Sequence, residues 1–241
     1  MPDETRTPSP DEARDRRAGP VAGILLAAGT SSRMGRNKML FELDGESILR
    51  RAARRALAGG LSPLAVVLGH EAERARAELA GLDCGAVVNP GFEEGITSSV
   101  RAGIEALPGD VAALAILLAD MPYVTSEMIS GLVERFRAGE APLVVSCYDG
   151  IDAPPMVYDR SLFGELLEMS DGRCGKQVVK RHRHEAEIVE RPAEALADLD
   201  VPEDYERVLA RAAHRASETE APGGGVPCPP RGREGDRGDG G

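Results

Sequence analysis

The sequence predicts an α/β fold, a mostly parallel sheet with helices on both faces. Two observations predict it. Short apolar runs alternate along the chain with stretches whose apolar residues recur at helical spacing. The leading run is continuous rather than alternating, as in a strand covered on both faces. A chain of 241 residues is long enough for one domain with a full hydrophobic core.

The elements follow in order. "VAGILLAA" (21–28) reads as a buried strand. "SILRRAARRALAGG" (47–60) reads as a helix, with arginines on the face opposite its apolar residues and a Gly-Gly stop. "LAVVLG" (64–69) is a strand, "EAERARAEL" (71–79) a helix and "CGAVVN" (84–89) a strand. "SSVRAGIEAL" (98–107) is a helix, with a Ser or Thr expected as its cap. "VAALAILLAD" (111–120) is the most apolar run and the expected central strand. "SEMISGLVERFRAG" (126–139) is a helix that starts near Ser126, and "PLVVSCY" (142–148) is a strand. Repeated strand–helix–strand units imply parallel pairing. In such sheets ligands bind beyond the carboxyl ends of the strands. Three stretches stand at those ends, the polar, glycine-containing 28–38 and 89–99 and the Asp-bearing 119–122, and are expected to meet at one rim.

Residues 1–19 are Pro-rich and charged, and the stretch from 214 to 241 is rich in Gly and Pro. Both read as disordered tails around a folded domain at 20–213. The chain has no Trp, four Tyr and four Phe, so the core is aliphatic and base stacking on nucleic acid is not expected. A net charge of −11 also disfavours general binding of polyanions. No apolar run reaches the roughly 18 residues of a membrane span. The N-terminal stretch has no apolar core of a secretory signal. The cysteines, at 84, 147, 174 and 228, lack metal-site spacing and read as free thiols in a reducing cytoplasm.

The stretch "LLAAGTSSRMGRNK" (25–38) leaves a buried strand and at once collects two glycines, three hydroxyl residues and positive charge. Gly29 and Gly35 permit close backbone approach. Amides from Ala28 to Ser31 form a candidate nest for phosphate oxygens. Arg33 adds a planar fork of donors and Lys38 a point charge. The spacing fits neither a Walker loop nor a dinucleotide fingerprint. Five residues separate the glycines, and the lysine follows the second by three.

Asp120 ends the most apolar run, where a carboxylate is costly unless it is paired or binds a cation. Asp200 precedes Val201-Pro202 at the expected start of a helix, where an aspartate is a common cap. Two such carboxylates from distant parts of the chain also suit Mg²⁺, with substrate phosphate completing the site. Asp198 is a second choice.

"LLAAGTSSRMGRNK" resembles the L-A-A-G-x-S-x-R-M-G-x-x-K signature of nucleotidyltransferases. "NPGFEEGITSSVRAGIEAL" (89–107), "LLADMPYVT" (117–125) and "DLDVPEDYERVL" (198–209) are similar to further motifs of the same family, in the same order. The chain thus resembles the MobA-like group, in its molybdenum cofactor cytidylyltransferase branch. The Ala27-Ala28-Gly29 form and the Ser98-Ser99 pair carry the branch. The resemblance implies a three-layer, Rossmann-like nucleotide-diphospho-sugar transferase fold. It implies transfer of a nucleoside monophosphate from CTP to molybdopterin, with release of pyrophosphate.

It also implies roles for residues. Leu26, Ala27, Ala28, Gly29 and Ser31 would bind the nucleotide. Arg33, Lys38 and Asp120 would serve both binding and catalysis. Asp120 and Asp200 would hold Mg²⁺. Ser99 would contact the base, with Ser98 next, against the alternative that both serines only cap their helix. A molybdoenzyme would receive the product. Two other readings stay open. One is transfer to a different phosphorylated acceptor, such as a sugar phosphate. The other is a non-catalytic chaperone for the molybdenum cofactor. The acceptor side departs from the family pattern: Asp152-Ala153-Pro154-Pro155 stands where a Gly-containing segment is usual, and "SDGRCGKQVVKRH" (170–182) differs in its small residues. Arg173 or Lys176 there would bind acceptor phosphate, or the stretch is an ion-pairing surface.

Overall fold

The computed structural model describes residues 17–31, 34–169 and 175–219, with side chains to 211. The tails expected at 1–19 and 214–241 lie mostly outside these residues.

Nine strands form. They are β1 (Val21–Ala27), β2 (Glu42–Leu43), β3 (Glu46–Ser47), β4 (Leu64–Leu68), β5 (Gly85–Val88), β6 (Ala113–Leu118), β7 (Leu143–Tyr148), β8 (Ile151–Asp159) and β9 (Glu187–Arg191). Seven of them make one sheet in the order β5-β4-β1-β6-β8-β7-β9, and β2 and β3 make a small antiparallel pair. All neighbours in the sheet are parallel except β8, which runs against both β6 and β7. The most apolar run is the central strand, as its composition predicts.

The helices are α1 (Ile48–Ala58), α2 (Ala72–Glu78), α3 (Ile96–Glu105), α4 (Ser126–Ala138), α5 (Phe163–Glu168), α6 (Lys176–His182) and α7 (Pro202–Thr219). They cover both faces of the sheet. The pleat of β1 shows how: Val21, Leu25 and Ala27 join the core beneath α1 and α4, while Ala22, Ile24 and Leu26 join the core beneath α3. Gly103 lets α3 lie close on β1, since a Cβ there would stand 2.6 Å from Ile24 Cγ2.

Local chemistry sets the helix ends. Ser47 caps α1 by accepting from the Arg50 amide, and Thr125 caps α4 by accepting from Met128. The expected Ser or Thr cap of α3 is absent. The helix begins two residues earlier, after Gly95, which has no side chain to bond. Ser98 instead gives its hydroxyl to the carbonyls of Gly91 and Gly95.

Four strands, β2, β3, β8 and β9, have no counterpart among the predicted runs. Pro154 and Pro155 hide β8, because proline donates no ladder bond. The pairing accommodates them at a register shift between Val145 and Cys147. There Tyr148 Oη donates to the Pro154 carbonyl (2.9 Å) and Ser146 Oγ to that of Pro155 (2.8 Å). β9 is an edge strand of mixed polarity, and β2 is too short for a pattern.

The chain is held at its described start by Arg17. Its guanidinium donates to the carbonyls of Phe136, Gly139, Glu140 and Ala141 at 2.7–3.1 Å and stacks on the Phe136 ring. These include the carbonyls that α4 leaves unpaired at its C-terminus. Positive charge is also favourable there. Hence Arg17→Ala should cost about 1–3 kcal/mol and lower Tm by several degrees. Thermal unfolding followed by circular dichroism checks this, and an unchanged Tm contradicts it.

Candidate active site

Strands β1, β4, β5 and β6 are parallel, so their carboxyl ends open on one rim. The three stretches meet there and bound a cleft of about 350 Å³. Leu26, Ala27, Ala28, Gly29, Lys38, Ser99 and Asp120 line it, joined by residues given no role from sequence: Thr30, Phe92, Glu93, Gly95 and Ile96. Ser31, Ser98 and Asp200 stand behind or beside the cleft. Arg33 lies outside the described residues.

Lys38 is at the centre. Its Nζ is 2.6 Å from Asp120 Oδ2 and 3.3 Å from Asp200 Oδ1. Lys38 is 9% exposed as a residue. A buried ammonium is costly alone, and two carboxylates more than compensate its charge. The Lys38 side chain thus occupies the position between the two carboxylates expected to share a metal. Among the described residues, no group of three or more His, Cys, Asp or Glu is arranged to hold one.

Each member of this triad is placed by its own supports. On the loop, Ser31 takes a left-handed backbone conformation (φ 51°). Its Oγ accepts from the Lys38 amide at 3.1 Å. Buried Asn37 accepts from the Met39 amide (3.1 Å) and donates to the His70 carbonyl (3.0 Å). That bond ties the loop to the segment after β4. Ser31 therefore shapes the loop around Lys38.

Asp120 follows β6, and the chain after it is clamped from outside. Arg55 of α1 donates to the carbonyls of Pro122 (2.6 Å) and Val124 (2.9 Å). The arginines of α1 are thus not merely solvated: Arg50 likewise caps α2 through the carbonyls of Glu78 and Ala80.

Asp200 comes from the start of α7. The Leu199 amide donates to the Asp120 carbonyl at 3.1 Å, which docks this segment beside β6. Asp204 accepts from the amides of Asp200 (2.8 Å) and Val201 (2.9 Å). The Val201 amide, with help from that of Asp200, holds the Asp204 carboxyl below its usual range. Asp204 is therefore the cap, which leaves the Asp200 side chain to face Lys38. Tyr205 anchors the helix by donating to the Glu42 carbonyl and packing its ring 4.8 Å from that of Phe41. Asp198, the second choice, sits at the rim. Desolvation by the surrounding protein and the like charges of Asp120 and Asp200 push its pKa up to about 6, against the pull of Lys38.

The far wall is held by Asn89, a residue of the 89–107 stretch to which the sequence pattern assigns no role. It is buried at the end of β5. Its Nδ2 donates to Ser98 Oγ (2.9 Å) and Ser99 Oγ (3.0 Å), and its Oδ1 accepts from the Gly91 amide (3.0 Å).

In the basic stretch expected to face an acceptor, Arg181 and His182 pair with Glu165, and Arg183 pairs with Asp152. For these residues the basic stretch is an ion-pairing surface. Lys176 begins α6 and is exposed, while Arg173 and Cys174 lie outside the described residues. Cys84 and Cys147 are free thiols. No helix among the described residues is long and apolar enough to cross a membrane.

Gly69 joins the two walls. A Cβ there would meet the Ala28 carbonyl oxygen at 2.6 Å and the Phe92 ring at 2.7 Å. Gly69→Ala should therefore cost about 1–3 kcal/mol through overpacking. Adding Phe92→Ala should recover only part of that, because the Ala28 carbonyl stays in the way. Urea unfolding midpoints of the two variants check this, and an unchanged midpoint for Gly69→Ala contradicts it.

The family model of the MobA-like NTP transferase domain matches residues 23–186. Bifunctional GlmU of Anaeromyxobacter sp. strain K is 30% identical over 181 residues, which cover 73% of this chain and 36% of GlmU. The chain thus matches about a third of that relative's length. Nicotine blue oxidoreductase of Paenarthrobacter nicotinovorans is 31% identical over 178 residues, covering 68% of this chain and 82% of that protein. A probable molybdenum cofactor guanylyltransferase of Natronomonas pharaonis is 28% identical over 207 residues, covering 80% and 98%. Among solved structures, Rv0371c of Mycobacterium tuberculosis H37Rv is 25% identical with a TM-score of 0.72, covering 80% of this chain and 99% of that one. Its manganese complex superposes with a TM-score of 0.67 at 23% identity, covering 79% and 98%. With two thirds of its length matched to the model and the rim built from the matched segment, the chain belongs to the MobA-like NTP transferase family.

Proposed function

We propose that this chain is a cytoplasmic nucleotidyltransferase that moves a cytidylyl group from CTP to the terminal phosphate of molybdopterin and releases pyrophosphate. One observation carries the reading: a small-residue loop faces a buried serine across the cleft, with Lys38, Asp120 and Asp200 gathered at one side. The loop suits phosphates and the serine suits a base edge. CTP over other nucleotides rests on the Ala28 and Ser99 resemblance, and molybdopterin rests on the same branch and on the named guanylyltransferase relative.

The chemistry follows from positioning and charge. The acceptor phosphate is already ionised, so it needs no strong base. Its oxygen attacks the α-phosphorus in line, and the bond to the bridging oxygen of pyrophosphate breaks. Negative charge grows on that bridging oxygen. Backbone amides at 28–31, together with Arg33 and Lys38, stabilise it. Asp120 and Asp200 would hold Mg²⁺. The donor set fits, being two hard oxygen ligands that already face one cation. When bound, Mg²⁺ supplies charge neutralisation at the α-phosphate. Lys38, paired here with both carboxylates, would pair with phosphate in the loaded site, so that nucleotide binding would exchange one ion pair for another. Manganese in the Rv0371c complex is consistent with a divalent cation in this fold.

A second reading, that the chain carries out oxidoreduction and releases no pyrophosphate, has one specific support, the relative named nicotine blue oxidoreductase. Assays separate the two. CTP, GTP, ATP and UTP are each supplied with Mg²⁺, with and without molybdopterin, and pyrophosphate is measured. Release that needs both CTP and molybdopterin supports the proposal, whereas release with another nucleotide or acceptor corrects it. Asp120→Asn should reduce turnover by about 10³-fold or more with an unchanged circular dichroism spectrum. Retained activity with Mg²⁺ contradicts the metal assignment.

A further inference from the structure

We infer that Asn89 is a positioning residue that fixes the direction of the Ser99 hydroxyl, so that Ser99 meets the nucleobase as a hydrogen-bond donor. The inference deepens the proposed function and rests on its reading of Ser99 as the base contact.

The Gly91 amide can only donate, so the Asn89 atom facing it at 3.0 Å must be the oxygen. The Asn89 nitrogen then faces both serines, and its two hydrogens go to Ser98 Oγ and Ser99 Oγ. Each serine oxygen is thus an acceptor toward Asn89, and each has one hydrogen left to give. Ser98 spends its hydrogen on the carbonyls of Gly91 and Gly95, at 2.9 and 2.8 Å. It is committed to the loop. Ser99 has no such acceptor among the described residues, and it lines the cleft. It is 3% exposed, so its hydrogen is shielded from bulk water. A buried donor without a partner is costly. A base that presents a carbonyl oxygen or an unprotonated ring nitrogen at this point removes the cost. A base that presents an N–H or amino group there leaves two donors facing each other. Asn89 thereby sets the sign of base selection without touching the nucleotide, and it assigns different tasks to two adjacent serines.

Asn89→Asp tests this. The carboxylate still accepts from Gly91, but it turns from donor to acceptor toward Ser99, whose hydrogen then points away from the cleft. Affinities are measured by titration calorimetry on the full chain, for CTP, GTP, UTP, ATP and inorganic tripolyphosphate. The readout is each nucleotide's affinity relative to tripolyphosphate. General repulsion of phosphate or partial unfolding leaves that ratio unchanged. Ser99→Ala should lower the ratio for the preferred nucleotide about tenfold. Asn89→Asp should lower it equally, and the double variant should lose no more. Ser98→Ala should lower Tm and leave the ratio alone. Independent losses in the double variant, or a normal ratio in Asn89→Asp, overturn the inference. If Asn89→Asp does not fold, equal losses from Ser98→Ala and Ser99→Ala overturn it, and a loss confined to Ser99→Ala supports it. If Ser99→Ala changes no nucleotide's ratio, the base-contact reading itself fails and takes this inference with it.

Discussion

The ion triad of Lys38, Asp120 and Asp200 is the constraint around which the rest of the rim is organised. It joins a loop, the end of the central strand and the start of the last helix. The three residues are far apart in sequence, so the sheet must be complete before they meet. A buried lysine that lost both partners would retain an uncompensated charge. Each member is accordingly fastened by hydrogen bonds of its own: Lys38 through Ser31 and Asn37, the segment after Asp120 through Arg55, and Asp200 through the Asp204 cap. These supports reach the triad from the loop, from α1 and from α7. The triad also keeps a net negative charge, which suits a site that must admit a cation and then release its lysine to phosphate.

The two walls of the cleft are built differently. The loop side has small residues and backbone donors. The far wall has a buried polar network in which Asn89 donates to both serines and accepts from the Gly91 amide. Such networks are rigid when complete. This division lets one frame hold phosphates in a constant way while the far wall varies what it recognises. It accords with a family whose relatives carry names as different as guanylyltransferase and oxidoreductase.

Much of this was legible in the sequence, for identifiable reasons. β1, β4 and β6 are continuous apolar runs, because both faces of each are covered, and the parallel order follows from the helices between them. The meeting of 28–38, 89–99 and 119–122 followed from parallel strands alone. Other features depend on partners distant in the chain. Nothing local marks β8 as a strand when two prolines interrupt it, since the hydroxyls that satisfy it come from β7. Nothing local separates Asp200 from Asp204 as cap and Lys38 partner, because that choice is made by which carboxylate reaches the amides of Asp200 and Val201. The N-terminal boundary was drawn past Arg17 for the same reason. Its four carbonyl partners lie more than a hundred residues away.

The central claim is that this rim cleaves a nucleotide between its α and β phosphorus atoms and passes the α side to a phosphate. The most direct measurement follows label from CTP carrying ³²P at the α position, with molybdopterin and Mg²⁺, and in parallel from CTP labelled at γ. The account predicts that α label appears in a new dinucleotide and that γ label leaves only as pyrophosphate. Release of γ label as orthophosphate, or recovery of both nucleotides intact while molybdopterin is present, would contradict it.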